Sequence, residues 1–225
     1  MKNLNSKLQT GIWLTVIIFT MQVILGGCKA SNTAKGTAIG AGAGAVIGGL
    51  IGKGSNNTAV GAIIGAGVGG ATGAIIGRHM DKQAEELKND LKGANVERVG
   101  EGIKITFDSG LMFALDSYVL NSSTKENLNS LAKTLNKYDD TNVLVEGHTD
   151  ATGKDDYNMQ LSKKRANAVS DYLESLGVKG SRVTTTGYGE TQPISTTDSE
   201  NRRVEVAIYA NKKMQKLAEK GELGQ

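Results

Sequence analysis

The sequence predicts an α/β sandwich of βαβαββ type, a mixed sheet with helices on one face, preceded by a glycine-zipper helical hairpin and an N-terminal export leader. Three observations predict it. Strand-like alternating runs interleave with amphipathic helical runs after residue 97, which is the pattern of a sheet covered by helices. Glycines recur every four residues between 36 and 77. The first 28 residues place a short basic head before an apolar stretch.

At the N-terminus, Lys2 and Lys7 precede GIWLTVIIFTMQVILGGC, which runs from Gly11 to Cys28 without a charge. The apolar part is too short for a comfortable membrane span, and small residues follow it, so it reads as a cleaved signal. Leu25-Gly26-Gly27-Cys28 looks like a lipobox, the site at which bacteria attach lipid to cysteine and cleave before it. Cys28 is the only cysteine and so has no disulfide partner within the chain. Residues 1–27 are therefore expected to be a signal peptide and 28–35 a lipidated tether, with two or three acyl chains giving firm anchoring. Lys29 is not the aspartate associated with inner-membrane retention, which favours the outer membrane. The lipoprotein signal is thus the first part of the expected architecture.

Glycines stand at 36, 40, 44, 48 and 52, and again at 61, 65, 69, 73 and 77. Each one weakens a helix by about 1 kcal/mol, so ten in register imply a compensating gain. On a helix this spacing makes a bare stripe where a second backbone can approach closely. KGSNNTAV (53–60) suits a turn, so 36–77 is expected to be an antiparallel pair of helices of about 17 residues each. Two placements fit, in lipid or packed beside the membrane, and self-association through the glycine faces belongs to the second. The block carries no side chain capable of catalysis.

Charge returns at Arg78. RHMDKQAEELKNDLKGA places Ala84, Leu87, Leu91 and Ala94 on one helical face, so 78–96 is expected to be a helical spacer, with His79 solvated near its start. Residues 97–210 suit one compact domain. GIKITFD (102–108) alternates as a strand. SSTKENLNSLAKTLNKY (122–138) is a capped amphipathic helix, and the β-branched run at 143–145 is a second strand. A helix follows with Leu161, Ala168, Val169, Tyr172, Leu173 and Leu176 inward, stopped by Gly177. RVTTTGYG (182–189) and RRVEVAIYA (202–210) complete four strands. Residues 211–225 read as a basic, solvated tail in which Leu217 and Ala218 hint at a short helix.

The balance of 26 Lys+Arg against 23 Asp+Glu does not argue for nucleic acid. Chemistry concentrates in VEGHTDATGKDDYNMQLSKKRANAV (145–169). Asp150 ends a strand, and Asn158 and Arg165 lie two turns apart on one face of the next helix. An acid beside a guanidinium suits a zwitterionic ligand, the acid accepting an ammonium and the fork gripping a carboxylate. The same spacing also suits a buried Asp150–Arg165 bridge that only braces the strand–helix junction. His148, Asp150 and Ser162 invite a triad, but Ser162 has no nucleophile elbow or oxyanion turn around it. One histidine among scattered aspartates has no metal-ligand spacing. No catalytic residue, metal or cofactor is expected.

GHTDATG, NMQLSKKRANAVSDYL, GYGETQP and NRRVEV, in that order, resemble the OmpA C-terminal-like, peptidoglycan-binding family over about residues 100–210. The lipobox and zipper make the whole chain similar to that family's zipper-containing outer-membrane lipoproteins. The resemblance implies non-covalent binding of peptidoglycan through the diaminopimelate of its stem peptide, linking the outer membrane to the cell wall. It places the lipid-anchored chain in the Gram-negative outer membrane, with the C-terminal domain in the periplasm. It implies a pocket formed by Thr149, Asp150, Asn158, Arg165, Asn201 and Arg202, with Asp116 and Ser117 in its wall. FALDSYVL (113–120) departs from the family, with Ala114 and Leu115 where an acid and an aromatic are common. A zipper oligomer acting as a pore-like membrane element is the competing class.

Overall fold

Alternation in three segments dictates the centre of the sheet. Val204, Val206, Ile208 and Ala210 point to one face of β5 (Arg203–Ala210), while Arg203, Glu205, Ala207 and Tyr209 point to the other. All eight residues are buried, as a strand covered on both faces requires. On either side lie β2 (Gly102–Asp108) and β3 (Thr141–Gly147), both antiparallel to it. The computed structural model describes residues 58–223. The leader, Cys28, the tether and the first glycine run lie outside the described residues.

The sheet order is β1-β2-β5-β3-β4. β1 (Ala94–Val99) pairs antiparallel with β2, and β4 (Val183–Gly187) pairs parallel with β3. In chain order the helices are α1 (Thr58–Ala66), α2 (Gly70–Asp90), α3 (Ser109–Met112), α4 (Ser122–Lys137), α5 (Asp155–Ser175), α6 (Asp198–Asn201) and α7 (Lys212–Lys220). The main core joins Ile103, Ile105, Phe107, Val143, Val145, Val204, Val206 and Ile208 to the inner faces of α2, α4 and α5. The mixed sheet with its principal helical face is the expected architecture. A fifth strand, β1, was not foreseen, because ANVERV follows a helical run and alternates only weakly.

The second glycine run departs from expectation. It does not form one helix over 61–77, because α1 stops at Ala66 and α2 starts at Gly70. Three of the four residues 67–70 are glycine, each unfavourable in a helix, and Gly69 and Gly70 adopt φ of 65° and 61°. Glu101, in the β1–β2 turn, holds the break by accepting from the amides of Val68 and Gly69 at 2.8 and 2.7 Å. A methyl group on Gly73 would come 2.0 Å from Glu101 Oε1, so this glycine makes room for a carboxylate. Before the break, α1 lies on the sheet face opposite α5, with Ala59, Ala62, Ile63 and Ala66 against Leu144, Ala207 and Tyr209. Among the described residues no helix is long and apolar enough to cross a membrane.

The segment read as a spacer is part of the core. α2 runs from the glycine region to Asp90 and buries Ile76, Met80, Gln83, Ala84 and Leu87. His79 is not solvated at a helix start. It sits within α2, edge-on to Tyr138 at 5.1 Å and 3.7 Å from Asp140. The C-terminal segment is not a solvated tail either. α7 is capped by the Asn211 side chain, which accepts from the amides of Lys213 and Met214, and it buries Met214 and Ala218 in the main core. Its lysines face solvent and hide a two-residue apolar contact that is too short to show in a periodicity.

Candidate functional site

Two glycines set the site's dimensions. A methyl group on Gly147 would fall 2.1 Å from the Ser162 carbonyl oxygen, and one on Gly187 would fall 2.4 Å from the Lys163 amide. Bare backbone at the ends of β3 and β4 therefore lets α5 lie directly on the strands. The loop leaving β3 is tied down by His148 N–H donating to the Arg203 carbonyl and Thr149 N–H donating to the Gly189 carbonyl, both at 2.9 Å. Asp150 emerges there, beside the start of β5, because β3 and β5 are antiparallel neighbours.

The acid has a different partner from the one that helix spacing suggested. Arg202 Nη1 donates to Asp150 Oδ2 at 2.6 Å, and the Thr152 amide donates to Oδ1 at 2.9 Å. Burial pushes this carboxyl up, but the hydrogen bonds from Arg202 and Thr152 outweigh it and hold Asp150 below the usual carboxylate range. Arg202 is fixed through its backbone, whose carbonyl accepts from the Ser109 amide at 2.9 Å.

Arg165 has no such acid. Its Nε donates to the Ser117 carbonyl at 2.9 Å, and its guanidinium lies over the Phe113 ring, 5.2 Å from the centroid. The residue is 5% exposed, yet among the described residues no carboxylate pairs with it. Burial, and less so the charge of Arg202, lowers its affinity for its proton, against the nearby carboxylates of Asp116 and Asp150. The Asp150–Arg165 bridge that would brace the junction does not form among the described ion pairs.

The asparagines position backbone. Asn158 Nδ2 donates to the carbonyls of Asp150 and Thr152 and to Glu190 Oε2, at 3.3, 3.1 and 2.7 Å. It holds the loop that presents Asp150. Asn201 Oδ1 accepts from the amides of Ile194 and Ser195, and its Nδ2 donates to the Ser195 carbonyl. Thr149 is buried, with a hydroxyl that has no partner among the described residues. In the wall, Asp116 adopts φ 53°, a strained value for a side-chain-bearing residue, in a loop closed by the Phe113–Leu120 bridge. Ser117 offers its carbonyl to Arg165 and its hydroxyl to the Val119 amide. Leu115, at one of the positions that depart from the pattern, is 90% exposed.

Sequence reasoning missed Glu190, which joins the site from the β4 side through Asn158. It also missed Glu146, Arg203 and Glu205, which are buried behind the site. The triad geometry is not assembled. Ser162 Oγ accepts from the Gly189 amide and donates to the Met159 carbonyl, so its hydroxyl anchors α5 to the β4 loop. The sites thus divide into an Asp150–Arg202 pair, a separate guanidinium at Arg165, and braces around both.

The OmpA family model matches residues 112–207, and the model of the YMGG-like Gly-zipper matches residues 8–81. The peptidoglycan-associated lipoprotein of Buchnera aphidicola is 33% identical over 134 residues, covering 57% of this chain and 78% of that protein. The outer membrane porin F of Pseudomonas aeruginosa is 37% identical over 121 residues, covering 51% of this chain and 34% of the porin. Among solved structures, the cell wall anchor of the type VI secretion system of Pseudomonas aeruginosa superposes with a TM-score of 0.51. It is 27% identical and covers 59% of this chain and 97% of that one.

Proposed function

We propose that this chain, which belongs to the OmpA family, holds the cell wall non-covalently by binding the diaminopimelate of the peptidoglycan stem peptide, and is a lipoprotein anchored through Cys28. The names of its relatives, a peptidoglycan-associated lipoprotein and a cell wall anchor, support a wall-binding role. The observation that carries the ligand is Arg165, a guanidinium almost withdrawn from water with no carboxylate partner among the described residues. A buried charge is tolerated when a ligand completes it, and a ligand carboxylate supplies the two acceptors of a fork-to-fork pair.

The other end of the ligand is an ammonium, and Asp150 is its acceptor. Both Asp150 oxygens already have donors, so the ammonium shares Oδ2 with Arg202 or displaces that arginine outward. Arg202 keeps Asp150 ionised until then. No proton moves and no bond breaks, because the site works by charge matching. Outer-membrane anchoring with the folded domain in the periplasm belongs to the same proposal, as does envelope integrity.

The test is co-sedimentation of the protein with purified sacculi containing diaminopimelate, against sacculi with lysine at that position. Lysine keeps the ammonium and lacks the carboxylate, so wild-type protein should favour the diaminopimelate wall. Equal binding to both would remove Arg165 from the ligand and overturn the assignment.

A further inference from the structure

On the sheet face opposite α5, beneath α1, three side chains capable of binding a metal converge. Glu146 comes from β3, His148 follows that strand, and Glu205 comes from β5. One donor atom from each lies within 4.8 Å of the others, and the residues are 0%, 1% and 3% exposed. Among the described residues neither His148 nitrogen has a hydrogen-bond partner, and the Glu146 oxygens have none of full geometry, the Ala59 amide lying near Glu146 only as a weak donor. Buried polar atoms in native proteins are nearly always satisfied, and a further group at the point where one donor atom from each residue converges would satisfy what the protein leaves weakly bonded. We propose that Glu146, His148 and Glu205 bind a divalent transition-metal ion, with Zn2+ the best match to the donor set.

The chemistry favours this class over alkaline-earth ions. One imidazole and two carboxylates suit zinc, and also iron and manganese, whereas calcium and magnesium take oxygen-only ligands. Ligand atoms at tetrahedral zinc stand roughly 3.3–3.6 Å apart, given bonds of about 2.0–2.2 Å. Glu146 Oε2 and His148 Nε2 are 3.9 Å apart, so they need only a small inward rotation. Outer contacts already orient the ligands. Arg203 Nε holds Glu205 Oε1 at 2.6 Å, and Tyr188 stacks on the imidazole at 5.5 Å between centroids. Arg203 is itself held by the carbonyls of Gln192 and Asn201. Its positive charge next to the ion weakens the site and leaves it without the strength of a thiolate site.

The cluster lies behind the strand that ends at Asp150, and the proposal does not depend on wall binding. Calorimetry and thermal melts of the full chain, stripped with chelator and titrated with Zn2+, test it directly. The expected result is one ion per chain and a melting point raised by several degrees at about a hundredfold excess over Kd. His148→Gln and Glu205→Gln should each weaken binding by more than about tenfold, since even losing a partner that only orients a ligand costs about 10–100-fold. His79→Gln and Cys28→Ser remove the only other histidine and the only cysteine, and should leave the affinity unchanged. In the Co2+-loaded protein, d–d absorption of a four- or five-coordinate centre should disappear with His148→Gln. The proposal is overturned if wild-type protein takes up no Zn2+, or if folded His148→Gln takes it up equally well.

Discussion

Replacing Arg165 by Met separates a ligand-binding guanidinium from a structural one, and Arg182 provides the comparison within the same molecule. In the folded protein Arg165 has one hydrogen bond to the Ser117 carbonyl and a stack on Phe113. A charged hydrogen bond contributes about 1.5–3 kcal/mol and a partly desolvated cation–π contact up to about 2. Against these stands the cost of burying a charge without a counterion, several kcal/mol. The terms nearly cancel, and Met keeps the stem's packing on Phe113, so folding stability should change by less than about 1 kcal/mol. Arg182 is equally buried, but its fork is complete. Nε donates to the Thr141 carbonyl at 2.7 Å, Nη1 to Leu135 at 2.9 Å, and Nη2 to the Tyr138 carbonyl and Thr141 Oγ1 at 2.9 Å. It closes the C-terminal end of α4, and Arg182→Met strips this donor from the Thr141 and Leu135 carbonyls, at about 1–3 kcal/mol each, while the Tyr138 carbonyl keeps the Thr141 hydroxyl. That variant should lose roughly 3–5 kcal/mol. Sacculus binding should show the reverse order. Arg165→Met forfeits about 2–5 kcal/mol of a desolvated charge pair, which is roughly thirtyfold to a few thousandfold in affinity. Arg182→Met should bind normally wherever it is folded. Urea melts and co-sedimentation read both quantities. If Arg165→Met lost more than about 2 kcal/mol of stability while binding sacculi normally, Arg165 would be a brace and the reasoning would fail.

Three further outcomes follow from particular contacts. Gly147→Ala drives a methyl group to 2.1 Å from the Ser162 carbonyl oxygen, and should cost at least about 2 kcal/mol in a urea melt and weaken wall binding by displacing α5. An unchanged midpoint would mean that α5 can move away freely. Met214→Ser should destabilise by about 2–4 kcal/mol, because Met214 is fully buried; a solvated tail would show a change within about 0.5. In chelator, Glu146→Gln should remove a pH dependence. Burial, and next the charge of Glu205, push the Glu146 carboxyl up to about 8, so the folded state keeps a proton that the unfolded chain releases near 4.5. Its stabilising effect is complete below 4.5 and is lost as pH rises toward 8, a few kcal/mol at about 1.4 per unit. The Gln variant should show a flatter urea midpoint between those limits, and a wild-type midpoint that rises over that range would contradict the buried-acid account.

Most of the sheet and its long helices were legible from residue order alone. Alternation in GIKITFD and RRVEVAIYA reports strands whose two faces meet different surroundings, and the spacing of Leu128, Leu131 and Leu135 reports one buried helical stripe. The neighbourhood of the proposed ligand site was legible too, since Asp150 at a strand end and Asn158 and Arg165 on one helix face are consequences of local geometry. What only the tertiary structure decided was partnership. Asp150 pairs with Arg202, 52 residues away, because β5 lies between β2 and β3. Glu146, His148 and Glu205 share one point for the same reason, and no spacing rule within a segment reaches across that distance. The glycines at 69 and 73 follow a helical period but serve Glu101, a residue some thirty positions later in the chain, and Gly69, with Gly70, breaks the helix it would otherwise line. Local periodicity follows from backbone geometry and the contrast between core and solvent, which act over a turn or a pleat. Pairing between distant charges follows from strand order, which is settled only when the whole core packs.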